Sequence, residues 1–105
     1  MRPETTPSRP SLLAMRIKVP RHVVYRSFPS ETVVLNLQTG KYHGLNPTAG
    51  RMLDAVERAG LVRDAAVEVA GEFGQSQPAI ERDMCELCQA LLERGLVEID
   101  SGNAR

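Results

Sequence analysis

The 105-residue sequence has no tryptophan, four other aromatic residues and two cysteines. A core with so few large rings must be aliphatic, and a domain this small has little stability to spare for a strained catalytic geometry. Two cysteines do not make a disulfide framework, so we expect free thiols in a reducing compartment. No apolar run approaches the ~20 residues of a membrane span, and the N-terminus has no secretory apolar region. These absences predict a cytoplasmic protein without a membrane partner.

An excess of basic residues is also missing, since 13 basic residues balance 13 acidic ones. The two signs are unevenly distributed along the chain. Residues 1–30 contain six Arg or Lys against Glu4, whereas residues 31–105 contain seven against twelve acids. A strongly basic nucleic-acid surface is therefore not expected.

Prolines and small polar residues dominate residues 1–11, which predicts a disordered N-terminal segment. Residues 12–99 are the predicted domain, and residues 100–105 are predicted to be a frayed tail. Within the domain, Leu12–Val19 alternates apolar and basic residues towards its end and stops at Pro20, and Val23–Phe28 lies between turn-forming residues. Both segments are predicted to be short antiparallel strands.

The stretch Thr32–Asn46 predicts a β-hairpin. Bulky and β-branched residues precede a polar break that contains a glycine, and the short run Tyr42–Leu45 follows. Thr39-Gly40 fits either a two-residue turn or a three-residue turn with a bulge, and a one-residue slip exchanges the faces of Tyr42 and His43. Because only helices follow, the second strand is expected at the sheet edge, where a partner strand can dock.

Helical periodicity begins after Asn46-Pro47, a pair typical of a helix start. Three helices are predicted, over Pro47 to Gly60, Leu61 to Phe73 and Pro78 to Gly95, each with an apolar stripe and a glycine at its end. Leu96–Ile99 fits either a short strand or a packed tail. The predicted fold is α+β and winged helix-turn-helix-like, with a small three- to four-stranded antiparallel sheet followed by a three-helix bundle.

No motif in the sequence predicts catalysis, a cofactor or a metal site. Cys85 and Cys88 lie mid-helix, a structural zinc site needs four ligands, and only two histidines remain. Cys88 is therefore interpreted as a small core or groove residue and Cys85 as a bystander. His43 beside Tyr42 lacks a nearby nucleophile and is interpreted as a strand surface residue.

A winged-helix DNA-binding protein is the main alternative. Its recognition helix would be Pro78 to Arg94, which contains two arginines and four acidic residues. Phosphates would repel such a helix, so the charges argue against this function.

Two segments together resemble the PqqD-like family of leader-peptide recognition domains. One is the hairpin Val34–Asn46 (V-L-N-L-x-T-G-x-Y-x-x-L-N), and the other is Ile80–Val97 (I-x-x-D-M-x-x-L-x-x-x-L-x-x-x-G-L-V). The resemblance covers roughly residues 15–99, and the hairpin is more similar to the stand-alone recognition proteins of lasso-peptide pathways than to the coenzyme PQQ protein. Cys85 and Cys88 stand where more ordinary aliphatic residues are expected.

This resemblance implies a non-catalytic adaptor that binds the leader segment of a ribosomally made precursor peptide as an added β-strand. It implies delivery to a leader peptidase and a macrocyclase, or, as an alternative, a coenzyme PQQ-type chaperone role for a radical SAM enzyme. The implied site comprises an edge strand and one helix face: Lys41, Tyr42, His43, Gly44 and Leu45, with Ile80, Asp83, Met84, Leu87, Cys88 and Leu91. Part of the helix face must be core, and Met84 and Cys88 are preferred as groove residues because soft side chains suit an adaptable pocket.

Overall fold

Residues 12–100 are described by the structure, a computed structural model, and they form antiparallel strands followed by three helices. The elements are β1 (Ile17–Lys18), β2 (Val23–Ser27), β3 (Thr32–Asn36), β4 (Tyr42–Leu45), α1 (Pro47–Ala59), α2 (Val62–Phe73), α3 (Gln77–Glu93) and β5 (Glu98–Ile99). The predicted α+β fold is confirmed. The predicted disordered segment 1–11 and residues 101–105 of the predicted tail lie outside the described residues, whereas the amide of Asp100 donates to the Arg16 carbonyl at 2.9 Å.

Strands β2, β3 and β4 form one antiparallel sheet in that order. Alternate residues of β3, namely Thr32, Val34 and Asn36, are buried against the helices, while Val33 and Leu35 on the other face are partly exposed. The sheet therefore has an inner face that carries the core and an outer face that no helix within residues 12–100 covers.

The β3–β4 loop spans residues 37–41 and is longer than the two- or three-residue turn that the sequence suggested. The reason is the side chain of Asn36, whose Oδ1 accepts the amides of Gln38 (2.9 Å) and Thr39 (3.3 Å). Gly40 closes the loop at a positive φ of 76°. The resulting register pairs Leu35 with Tyr42 on the outer face. On the inner face it pairs Val34 with His43.

The helix boundaries agree with the local signals in the sequence. Asn46 Oδ1 accepts the amide of Ala49 at 2.8 Å at the start of α1, and Ser76 Oγ accepts the amide of Ala79 at 3.3 Å at the start of α3. Gly74 ends α2 in the left-handed conformation.

The predicted strand at Leu12–Val19 is limited to β1, because the Leu12 carbonyl accepts the amide of Met15 at 3.0 Å and forms a turn before it. β1 pairs with β5 rather than with the main sheet, so the segment Leu96–Ile99 contains a short strand. Lys18 Nζ lies 3.4 Å from Glu98 Oε2 across this pair.

Helix α1 approaches β3 closely at Gly50. A Cβ at Gly50 would lie 2.0 Å from Thr32 Oγ1, so only glycine fits between the helix and the strand. Thr32 is itself paired with Leu45 of β4, whose side chain enters the aliphatic core. This contact therefore fixes the position of the β3–β4 hairpin on the helices.

Candidate functional site

The free edge of β4 exposes backbone hydrogen-bonding groups. Asn36 N donates to Lys41 O at 2.9 Å, and residue pairs in an antiparallel ladder alternate between bonded and non-bonded. In the observed register, His43 and Leu45 therefore turn their backbone groups towards β3. The N–H and C=O groups of Tyr42 and Gly44 point away from the sheet, and no strand covers them among residues 12–100.

The opposite edge, on β2, is also free within the described residues. Phe28 N donates to Glu31 O at 2.7 Å, which by the same alternation directs the backbone groups of Tyr25 and Ser27 outwards. The amide of Val23 is already occupied, because it donates to the Pro20 carbonyl at 3.0 Å. The sheet thus offers two edges, and an experiment must distinguish them.

The side chains of the predicted edge strand differ widely in exposure. Tyr42 is 73% exposed on the outer face, and Lys41 and Gly44 are exposed as well. His43 is half-buried on the inner face, while Leu45 is buried in the core. Leu45 therefore anchors the strand, and its neighbours offer the accessible surface.

The predicted face of α3 is mostly buried. Ile80, Met84, Cys88 and Leu91 have almost no exposed surface, and they share one hydrophobic cluster with Leu45. Of the other two predicted residues, Leu87 is half-buried and Asp83 is exposed, 3.7 Å from Arg82 Nε at its Oδ1. Leu87 and Asp83 are therefore the predicted α3 residues whose side chains are accessible to a ligand, whereas contact with Met84 or Cys88 would require neighbouring side chains to move.

The sequence profile of the family described as coenzyme PQQ synthesis protein D (PqqD) matches residues 31–97. The chain belongs to the PqqD family. The matched segment contains both the β4 edge and all of α3, so the family's characteristic sequence coincides with the site described above. A comparison of this PqqD family member with functionally curated proteins gives no match.

Two solved structures superimpose on this PqqD family member. TbiB1 in complex with the TbiA(beta) leader peptide has a TM-score of 0.69 at 28% identity, covering 84% of this chain and 99% of that chain. A lasso peptide synthetase B1 complexed with the leader peptide also has a TM-score of 0.69, at 22% identity, and covers 79% of this chain and 98% of that chain. Both similarities extend over nearly the whole of the solved chains.

The outer sheet face of this PqqD family member is apolar, which the sequence interpretation missed. Val24 and Phe28 are about half exposed, and they line an open pocket with a volume of about 430 Å³. The residues lining it are Val24, Tyr25, Arg26, Phe28, Val33 and Leu35. The sequence signal for this face was the run of consecutive apolar residues in β2 and β3. A strand with only one buried face needs an apolar residue at every second position, so consecutive ones indicate that the other face is apolar too.

The two thiols of this PqqD family member belong to the core. Cys85 and Cys88 are both almost fully buried, and burial, followed by the proximity of Cys85, raises the pKa of Cys88 to about 12. A thiol with such a pKa is protonated and unreactive at neutral pH. Among residues 12–100 no three His, Cys, Asp or Glu side chains cluster as metal ligands would. In the same part of the chain, no helix has the length and hydropathy needed to cross a bilayer.

Proposed function

We propose that this protein is a non-catalytic adaptor that binds the leader segment of a ribosomally made precursor peptide by strand addition to β4. In this proposal it acts in lasso-peptide maturation, in the cytoplasm where the precursor is made, and delivers the precursor to a leader peptidase and a macrocyclase. The observation that carries the proposal is the β4 edge, which no other described strand covers and which has four outward backbone groups on Tyr42 and Gly44. The similarity to a leader-peptide complex over 84% of the chain supports the choice of ligand.

The backbone contacts alone are too weak for a stable complex. Four hydrogen bonds at a net ~0.5–1.5 kcal/mol each contribute about 2–6 kcal/mol, whereas micromolar affinity requires about 8 kcal/mol. The peptide also loses conformational freedom when it docks. Side-chain contacts must supply the remainder. The exposed ring of Tyr42 lies on β4 itself, and the partly exposed Val33 and Leu35 pair with Gly44 and Tyr42 on the outer face. In this proposal the half-buried Leu87 of α3 also contacts the peptide.

Delivery to an enzyme requires a second surface that remains free when the peptide is bound. The outer sheet face meets this requirement, because it is perpendicular to the β4 edge and exposes Val24 and Phe28, which line the open pocket. We propose that a processing enzyme docks there. A DNA-binding role is not favoured, because α3 exposes Asp83, Glu86 and Glu93.

The test is a fluorescence anisotropy titration with a labelled synthetic leader peptide from the precursor gene beside this one. Gly44→Pro removes one outward amide and places a ring on the β4 edge, without removing a bond to β3. We expect at least a ~10-fold loss of affinity, which corresponds to ~1.4 kcal/mol. Ser27→Pro is the control on the β2 edge, where it removes one outward amide and, in addition, the hydrogen bond between Ser27 Oγ and Thr32 Oγ1.

Circular dichroism and thermal unfolding must show that both proline variants are folded. Equal affinities of Gly44→Pro and the wild type would exclude strand addition at β4, and a loss confined to Ser27→Pro would move the site to β2. Leader peptides that fail to bind the folded wild-type protein would refute the proposed function itself.

A further inference from the structure

The carboxylate of Glu31 lies over Gly44 at the β4 edge. A Cβ at Gly44 would stand 2.8 Å from Glu31 Oε1, a separation that real Cβ atoms essentially never show. Glu31 lies immediately before β3 and two residues before Val33, so the two side chains are on the same face of the sheet. Val33 is on the outer face and pairs with Gly44, so the side-chain positions of Glu31 and Gly44 are both on the outer face. The missing side chain of Gly44 therefore leaves the space that this carboxylate fills.

The charge of Glu31 is not neutralised by any of the residues that the structure describes. Its carboxylate makes no ion pair or hydrogen bond with any residue among 12–100, and the residue is exposed. Arg26 lies on the same face, on the neighbouring strand β2, where it pairs with Val33, and it forms no ion pair with Glu31. An exposed carboxylate without a partner is available to a ligand that reaches this edge.

A strand added to β4 would bring one of its side chains to this carboxylate. Gly44 directs its backbone groups outwards, so one residue of the incoming strand pairs with it and places its side chain on the outer face. The Cβ of that residue would lie about 4.5–5.5 Å from the position of the missing Gly44 Cβ. Glu31 Oε1 stands beside the same position, within reach of a long basic side chain.

We propose that Glu31 is a specificity-determining residue that selects lysine or arginine at the leader position paired with Gly44. This inference rests on the proposed function, because it assumes strand addition at β4. Backbone hydrogen bonds are indifferent to sequence, and a carboxylate at a fixed place along the edge adds a preference for one position of the peptide.

The experiment is a positional scan of the synthetic leader peptide by fluorescence anisotropy. Each residue is replaced singly by lysine and by glutamate, and the peptides are titrated against the wild type, Glu31→Lys and Asp64→Asn. Asp64 is the matched control, an exposed acidic residue on α2. With the wild type, lysine should bind about 2- to 5-fold more tightly than glutamate at one position, the range for an exposed ion pair.

Glu31→Lys should reverse this preference at the same position, and Asp64→Asn should preserve it. Gly44→Ala provides a second check, because its methyl group would displace the carboxylate and should weaken the preference while the backbone contacts remain. Peptides that bind with the same charge preferences to the wild type and Glu31→Lys would overturn the inference and leave the proposed function intact. Absence of binding by every peptide would overturn both.

Discussion

Gly50→Ala tests the contact that holds the hairpin on α1. An alanine Cβ at this position would lie 2.0 Å from Thr32 Oγ1 and 2.6 Å from Thr32 Cβ, well short of the 3.4 Å at which ordinary contact begins. Both residues are buried, so neither the helix nor the strand can yield without disturbing the core. Thr32 Oγ1 also lies 2.8 Å from Ser27 Oγ, in a hydrogen bond that displacement would weaken.

The expected destabilisation follows from opposing contributions. Overpacking a core costs ~1–3 kcal/mol, and a weakened hydroxyl hydrogen bond adds up to about 1 kcal/mol. Replacing glycine by alanine inside a helix contributes ~1 kcal/mol in the opposite direction. These contributions sum to a net loss of about 0–3 kcal/mol. Because the overlap with Thr32 is severe, we expect the upper half of this range and a Tm lower by at least ~6 °C.

Gly71→Ala is the matched control for this prediction. Gly71 lies in α2, is exposed, and has no atom within 4 Å of a Cβ placed on it. Gly71→Ala should therefore raise the Tm, because alanine has a higher helix propensity than glycine and no steric clash opposes the change. Thermal unfolding followed by circular dichroism compares the three proteins. If Gly50→Ala were as stable as Gly71→Ala, the proposed close contact between α1 and β3 would be refuted.

Two further predictions concern titratable side chains in the core and at its border. Burial and then the hydrogen bond to Glu57 raise the pKa of Tyr25 in the folded protein. The protonated phenol therefore stabilises the fold below the unfolded-state pKa of about 10, and this stabilisation is lost as the pH rises above that value. Tyr25→Phe should lower the free energy of unfolding by ~0.5–1.5 kcal/mol at pH 7 and reduce the loss of stability above about pH 10. Urea unfolding at several pH values measures both effects, and the same dependence of stability on alkaline pH in the variant and the wild type would contradict this prediction. Because burial raises the pKa of Cys88 to about 12, iodoacetamide at pH 8 should modify the urea-unfolded protein at least ~100-fold faster than the native protein, and equal rates would place this thiol at the surface.

Features that depend on local stereochemistry could be predicted from the sequence. The start of α1 follows from Asn46 and Pro47, which act on the adjacent helical turn whatever the rest of the fold does. Gly60 and Gly74 end their helices at positive φ for the same local reason. The order of elements could then be inferred, because these boundaries fix where each helix begins and ends.

Features that depend on packing between distant residues could not be predicted. The apolar period of α3 identifies a face but not its partner. The sequence interpretation preferred Met84 and Cys88 as groove residues, yet both are buried, whereas Leu87 remains partly accessible. The carboxylate of Glu31 over Gly44 depends equally on the strand register, which brings two residues 13 positions apart in the sequence to the same place.

The register of the hairpin, and with it the proposed site, is set by Asn36. Its side chain accepts two loop amides and its own amide donates to Lys41, which fixes the loop at five residues. A loop one residue shorter or longer would change which residues of β4 face β3, and the outward backbone groups would then belong to His43 and Leu45 instead of Tyr42 and Gly44. Leu45 would leave the core at the same time. The burial of Leu45 therefore selects the same register as the Asn36 turn, and together they keep the peptide edge where Gly44 and Glu31 meet.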